Sequence, residues 1–366
     1  MLRVISSVLS ASPVVKVSFV QRMGRASPHI LVIRRRYLGD IVLLGAVFRN
    51  LKLHWPQARL AVLCEPAYAG VLTMNPDVDE VFPFPHGAAD WVRLAWRLRA
   101  ARFTQVLDLD NRDKTALLTR CTGAPVRVTQ RHAEKIHFPS FYTAQEVLPP
   151  EFLDSRHITD LYLHLLDKID VPIVTHECRL TPRPEDLAFA RTLLQQSKIE
   201  NLKSKILVHP GSRSAWRVWP PANFAAVVDR LQSENKAGVA FIAGPGEQAT
   251  VDEIFRHLKT PAARIAEQLT VPQLAALFAA CDALLCHDSG PMHLAAAVGT
   301  RVVALFGSQP MQVWKPWGEK HLTLQPPLPC VNCVSPNACV PHDSYHNHCV
   351  RHITPERVYA ALAGAL

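Results

Sequence analysis

A chain of 366 residues, 48% of them apolar, is long enough for two domains with real cores. Its 40 Lys and Arg against 31 Asp and Glu give a formal charge of +9, which suits an anionic partner (nucleotide, phospholipid surface, acidic glycolipid or nucleic acid) or simply a solvated basic surface. Nine Cys in this length are not a secreted disulfide framework, and no apolar run reaches the ~18 residues of a membrane span.

Residues 1–28 are mildly apolar and basic, without a compact apolar region followed by a cleavage site, and are read as an N-terminal extension. HILVIR (residues 29–34) is a buried strand, and Ile41–His54 a helix with Val42, Leu43, Ala46, Val47 and Leu51 apolar. Gly39 and Asp40 then fall in a strand-to-helix turn, at the edge of a parallel sheet where ligands bind. Asp40 either caps the helix or faces a cleft as a general base. Strands follow at Arg59–Cys64, within NPDVDEVFPF and at Gln105–Leu109. Between them lie helices at Glu65–Met74 and Asp90–Arg102, the latter with Trp91, Leu94, Ala95 and Leu98 on one face. This alternation predicts a doubly wound parallel sheet. Asp108, Asp110, Asn111 and Arg112 are read as a solvated loop, with acceptor contact as the alternative. The basic stretch Arg127–Ser140 is a plain surface or touches an anionic acceptor. His157–Lys168 is a helix closing this half.

Asp170–Pro184, with three prolines, is the interdomain segment. The expected layout is an acceptor-side domain over 29–175, a linker and first helix over 176–204, a second domain over 205–353 and a C-terminal helix over 354–366. In the second half, Glu185–Gln196 is helical and Lys205–His209 a strand. The polar loop after it carries Ser212, Arg213 and Arg217 and lacks the Lys-Ser/Thr ending of a P-loop. Gly238–Ala243 is a strand ending in GPGEQ, where Glu247 opens a helix as a first-turn charge or as a sugar or ribose ligand. Thr270 before Pro272 and Gln273 looks like a helix cap. Asp282–Gly307 is strand, turn, helix, strand. Pro291 suits the first helical turn, and Gly299 stops the helix. Such a unit aims a helix N-terminus past the strand end, where an anion such as a nucleotide diphosphate would sit. Asp288, Ser289 and His293 lie there, as ligand contacts or, for Asp288 and Ser289, merely as caps.

With these loops in place, the chain resembles glycosyltransferase family 9, the heptosyltransferases of lipopolysaccharide core synthesis. The pieces are ILVIRRRYLGDIVLLGAVFRNLKLHWPQARL, NPDVDEVF, HPGSRSAWRVWPPANF, AGPGE and HDSGPMHLAAAVGTRVVALFGSQ, in family order from Ile30 to about Ile353. The resemblance implies a GT-B fold, two Rossmann-like doubly wound domains facing an interdomain cleft, with acceptor on the N-terminal side and nucleotide sugar on the other. It implies that Asp40 is the base for an inverting transfer. Arg217 would contact phosphate, in place of a more usual Lys, bringing a planar fork instead of a point charge. Ser212 and Arg213 fall on the phosphate loop, although a hydroxyl is expected at the second position. Glu247, Asp288, Ser289, Gly290 and His293 fall on the donor segments, and Leu269 beside the base. The resemblance implies ADP-heptose, the family's usual donor, or another nucleotide sugar, and an acceptor that is an anionic glycolipid of the lipopolysaccharide core or a related glycan. The setting would be cytoplasmic, with peripheral contact at the inner membrane and no nucleic acid.

Cys330, Cys333, Cys339 and Cys349 crowd into 20 residues. Four thiolates can hold a structural Zn²⁺ tetrahedrally, but only the first pair has CxxC spacing; reduced thiols or facultative disulfides are the alternative. No cofactor is required for transfer. Three rival readings of the chain are a nucleotide-sugar epimerase of similar fold, a basic nucleic-acid-binding protein, against which the dispersed Lys and Arg and the lack of a nucleic-acid motif count, and a catalytically silent glycolipid-binding relative.

Overall fold

The computed structural model describes residues 27–200, 202–212, 217–235, 237–328 and 348–365. The first half runs β1 (His29–Ile33), α1 (Leu38–Leu43), α2 (Gly45–His54), β2 (Arg59–Cys64), α3 (Ala69–Leu72), β3 (Glu80–Pro83), α4 (Ala88–Ala100), β4 (Gln105–Asp108), α5 (Asp113–Thr122), β5 (Val126–His132), β6 (Ala144–Leu148) and α6 (Ile158–His164). The second half runs α7 (Pro184–Gln196), β7 (Lys205–His209), α8 (Pro221–Asn235), β8 (Gly238–Phe241), α9 (Gln248–His257), β9 (Ala263–Arg264), α10 (Val271–Ala279), β10 (Ala283–His287), α11 (Gly290–Ala297), β11 (Arg301–Leu305), α12 (Met311–Trp314), β12 (Leu322–Leu324), α13 (His348–Arg351) and α14 (Pro355–Ala363).

The strands form two six-stranded parallel sheets, ordered β3-β2-β1-β4-β5-β6 and β12-β11-β10-β7-β8-β9. The two orders are the same doubly wound topology. In each, the winding across the sheet reverses between its first and fourth strands, β1/β4 and β7/β10, which pair in parallel. Ligand crevices open at such switch points, beyond the carboxyl ends of the strands.

Helices cover both faces, which is why the central strands read as unbroken apolar runs. In β1, Ile30 and Val32 enter the largest core cluster, whereas Leu31 and Ile33 pack on the opposite face with Phe82, Leu98 and Phe103. Each such fully buried side chain contributes about 1.5–3 kcal/mol. The largest cluster passes from the first sheet into the second, joining Phe48 and Leu51 to Leu277, Leu284 and Val302. Among the described residues no helix is long and apolar enough to cross a membrane.

Four expectations are corrected. The first helix begins earlier and breaks at Leu44, so Gly39 and Asp40 sit inside the opening turn of α1. Arg127–Ser140 is not a plain basic surface, because Val126–His132 forms β5 and pairs with an unforeseen β6. The short edge strand β9 was also not anticipated. Asp108 and Asn111 are fully buried and not part of a solvated loop. Asp108 accepts from the Asp110 and Asn111 N–H groups at 3.0 and 2.8 Å and from the Tyr142 hydroxyl at 2.7 Å. These bonds repay the desolvation of a buried carboxyl, although burial still pushes its pKa up to about 6.

Candidate active site

Asp40 is the third residue of α1 and is 7% exposed. Its Oδ2 accepts the Tyr37 N–H at 2.8 Å, closing the helix start. Its Oδ1 accepts Arg34 Nη2 at 2.6 Å and the Tyr162 hydroxyl from α6. A carboxylate offers about four acceptor positions, so three donors leave one position for a substrate hydroxyl. Arg34 is tied down again through Nη1 to the Leu109 carbonyl at 2.8 Å. Burial alone would lower the Arg34 pKa, but the Tyr162 oxygen and the Asp40 and Asp110 carboxylates outweigh it and hold the guanidinium charged. Burial, reinforced by Asp40, raises the Tyr162 pKa and keeps its hydroxyl a donor.

Capping and chemistry are therefore not alternatives for Asp40: one oxygen caps and the other is held by side chains. Arg34 and Tyr162 are the partners that sequence reasoning missed. Arg34 begins an RRR run just ahead of the LGD turn, which was a usable signal. Tyr162 is 122 residues from Asp40, inside a helix whose pattern shows only a buried face.

Beside Asp40 opens a cleft of about 280 Å³, lined by residues that include Arg34, Arg35, Arg36, Arg112 and Arg131. Some of this charge is internally matched. Arg35 meets Glu65 at 2.6 Å, and Arg131 pairs with Glu134, which Arg112 approaches at 3.8 Å. Among the described residues no carboxylate lies within ion-pair reach of Arg36. In the sequence Arg112 reads as a loop residue with acceptor contact as the alternative, and Arg131 only as part of the basic stretch Arg127–Ser140. The sheet brings them together, because β4 and β5 are neighbours.

The second half contributes the loops after β7, β8 and β10. Arg217 Nη1 donates to Asp288 Oδ2 at 3.2 Å. Burial pushes the Asp288 carboxyl up to about 6, against the pull of Arg217, so the pair is charged at neutral pH. Ser289 Oγ donates to the His287 carbonyl at 3.1 Å. Neither Asp288 nor Ser289 makes a side-chain cap to α11, which removes the plain capping reading. His287 is fully buried and accepts the Trp219 N–H at Nε2, 2.8 Å away. Burial lowers its pKa to about 4, so a neutral ring fixes the segment that carries Arg217.

Glu247 lies between two of these loops. Its Oε2 accepts the Gly244 N–H at 2.8 Å and stands 3.2 Å from His209 Nε2. A Cβ on Gly211 would fall 1.9 Å from that oxygen, so only glycine lets the loop pass. Burial works against charge on Glu247, but the His209 contact and the Gly244 N–H more than offset it and lower its pKa. Leu269 is half-buried against the largest core cluster, and Thr270 is the α10 cap, its side chain accepting from the Gln273 N–H. Ser212 closes the described part of the loop after β7; Arg213 lies outside the described residues.

The two halves touch through α1 and α11. A Cβ on Gly39 would be 2.8 Å from His293 Cδ2, and a Cβ on Gly290 would be 2.8 Å from Leu38 Cβ. His293 is thereby buried against the Asp40 turn. Burial, with His157 adding to it, lowers its pKa to about 3, and its Nδ1 has no hydrogen-bond partner among the described residues. Of the cysteine set, Cys330, Cys333 and Cys339 lie outside the described residues, whereas Cys349 is buried.

The family model for glycosyltransferase family 9 (heptosyltransferase) matches residues 91–341. Among curated relatives, lipopolysaccharide heptosyltransferase 3 of Escherichia coli is 26% identical over 78% of this chain and 86% of its own. Lipopolysaccharide heptosyltransferase 2 of Escherichia coli K12 is 25% identical over 76% and 82%. Among solved structures, a family 9 glycosyl transferase from Veillonella parvula superposes with a TM-score of 0.80 at 21% identity, over 92% of this chain and 97% of that one. Escherichia coli ADP-heptose heptosyltransferase II gives 0.75 at 21%, over 92% and 98%. The fold is GT-B, two Rossmann-like halves with their loop edges turned toward each other. The chain is a glycosyltransferase and belongs to glycosyltransferase family 9.

Proposed function

We propose that this enzyme moves a heptose from ADP-heptose onto an anionic acceptor of the lipopolysaccharide core, with inversion. The observation that carries this is Asp40, fixed by Arg34 and Tyr162, at the head of an arginine-lined cleft. The names of the heptosyltransferase relatives support the sugar, and an Escherichia coli heptosyltransferase of the same fold, solved with ADP, supports the nucleotide.

In this reading the acceptor hydroxyl approaches the open position on Asp40. Asp40 takes its proton as the oxygen bonds to the anomeric carbon, and the bond from that carbon to the diphosphate oxygen breaks on the opposite face. The charge arriving on the diphosphate meets Arg217, Ser212 and the positive end of α11 beyond Ser289 and Gly290. Asp288 orients Arg217 and does not face the anion itself. Glu247 Oε1, which is not engaged by Gly244 or His209, takes a donor hydroxyl. Leu269 packs beside the base, and His293 shapes the floor under Asp40.

A melting-temperature panel of ADP, UDP, GDP and CMP tests the donor. A nucleotide at ~100 times its dissociation constant adds about 2.7 kcal/mol to the folded state. Stabilisation by ADP alone is expected; selective stabilisation by another nucleotide would replace the donor, and none at all would favour a silent relative.

Transfer proceeds without a divalent cation because fixed cationic and dipolar groups meet the leaving charge. A chelator should therefore leave the rate unchanged, and a chelator-dependent loss at an unchanged melting temperature would overturn this. Metal content of protein purified without added metal decides between structural zinc and the alternative of reduced thiols or facultative disulfides at Cys330, Cys333, Cys339 and Cys349.

A further inference from the structure

The outer face of α4 is built unlike an ordinary solvated helix. Val92 and Trp96, one turn apart, are 73% and 71% exposed, while Leu94 and Leu98 fill the core behind them. At 100° per residue, Ala89, Val92, Trp96 and Ala100 form one apolar ridge. Arg93 and Arg97 flank it on one side and Arg99 on the other. α5 packs alongside: Lys114 approaches the Trp91 ring at 5.8 Å and Arg99 reaches the Thr122 carbonyl at 3.5 Å. On α5 Leu117 is also exposed. Residues 88–102 hold four Arg against one carboxylate, Asp90, which meets Arg93 at 3.2 Å, while Glu80 of β3 stands 3.7 Å from Arg97.

We propose that this α4–α5 face docks onto an anionic lipid bilayer. An apolar ridge with an exposed Trp between rows of guanidinium groups is the pattern of a helix lying in a membrane interface, with the ring at headgroup depth and the cations on lipid phosphates. The charge argues against two other occupants. Residues 1–26 carry Arg and Lys and no Asp or Glu, so they do not complement the patch, and a second copy would set arginines against arginines. The position also fits the site. The segment just before α5 supplies Arg112 to the arginine-lined cleft, so the docking face and the cleft share one element. This deepens the glycolipid-acceptor reading and rests on it for its purpose, but binding to lipid can be measured without it.

The full chain is sedimented with vesicles of phosphatidylglycerol and phosphatidylcholine in equal parts, and with phosphatidylcholine alone. Binding is expected only to the anionic vesicles and should weaken as salt rises. The double substitution Val92→Ser, Trp96→Ser changes two exposed side chains and should lower partitioning about 10-fold or more, with melting temperature and ADP stabilisation retained. Arg93→Gln with Arg99→Gln should lower it independently. Equal binding to both vesicle types, or a Ser variant that binds like the wild type, would overturn the proposal. So would a free-solution dimer that the Ser substitutions dissociate. ADP stabilisation without vesicle binding defeats the docking face alone, whereas vesicle binding without ADP stabilisation defeats the proposed donor alone.

Discussion

Asparagine in place of Asp40 is expected to lower transfer by about 10²–10⁴-fold, the usual share of a general base, and ADP affinity should stay as it was. The substitution keeps the shape of the side chain but removes its charge. An amide nitrogen at Oδ1 would face the Arg34 and Tyr162 donors, and at Oδ2 it would face the Tyr37 N–H. Either way the group has no basic oxygen left for an acceptor hydroxyl. Melting temperature separates chemistry from collapse of the α1 start. Tyr162→Phe removes one donor and spares the carboxylate, so it should keep more activity than the Asn variant. Turnover within about threefold of wild type in the Asn variant, measured at saturating donor, would end the assignment of Asp40 as base.

Arg217→Ala is expected to cost on the order of 3–4 kcal/mol of transition-state stabilisation, or about 10²–10³ in rate, together with a weaker ADP melting shift. The loss has two parts. The leaving diphosphate loses a fixed cation, and Asp288 is left buried without the partner that opposes its desolvation. Its carboxyl then moves above about 6 and takes up a proton near neutrality, which limits the damage to the fold. Arg217→Lys should recover much of the nucleotide binding as a point charge. It cannot reproduce the oriented Nη1 contact to Asp288. Unchanged ADP affinity in the Ala variant would remove Arg217 from the donor site.

The buried strands were legible because both faces of each sheet are covered, leaving β1, β2, β10 and β11 as apolar runs bounded by turn residues. Edge strand β6 hides its identity, since its residues alternate between half-buried and exposed before reaching Leu148. The loops after β7, β8 and β10 were legible through glycine and proline punctuation, which marks tight turns locally. Polar clusters that depend on distant partners were not. DLDN looks like a loop until Tyr142 and Thr119 arrive to satisfy Asp108. Asp40 looks like a cap until Tyr162 reaches it from α6. Sequence periodicity reports which face of an element is buried, and it is silent on which polar tip from another element meets it.

The glycine contacts between α1 and α11 also set how the two halves can move. At Gly39 and Gly290 an added methyl group would meet His293 or Leu38 at 2.8 Å, so the helices cannot shear past each other there without raising a side chain into that gap. A hinge opening that keeps this contact would use it as a pivot. In such a motion Asp40 would travel least and the outer rims of the two halves most.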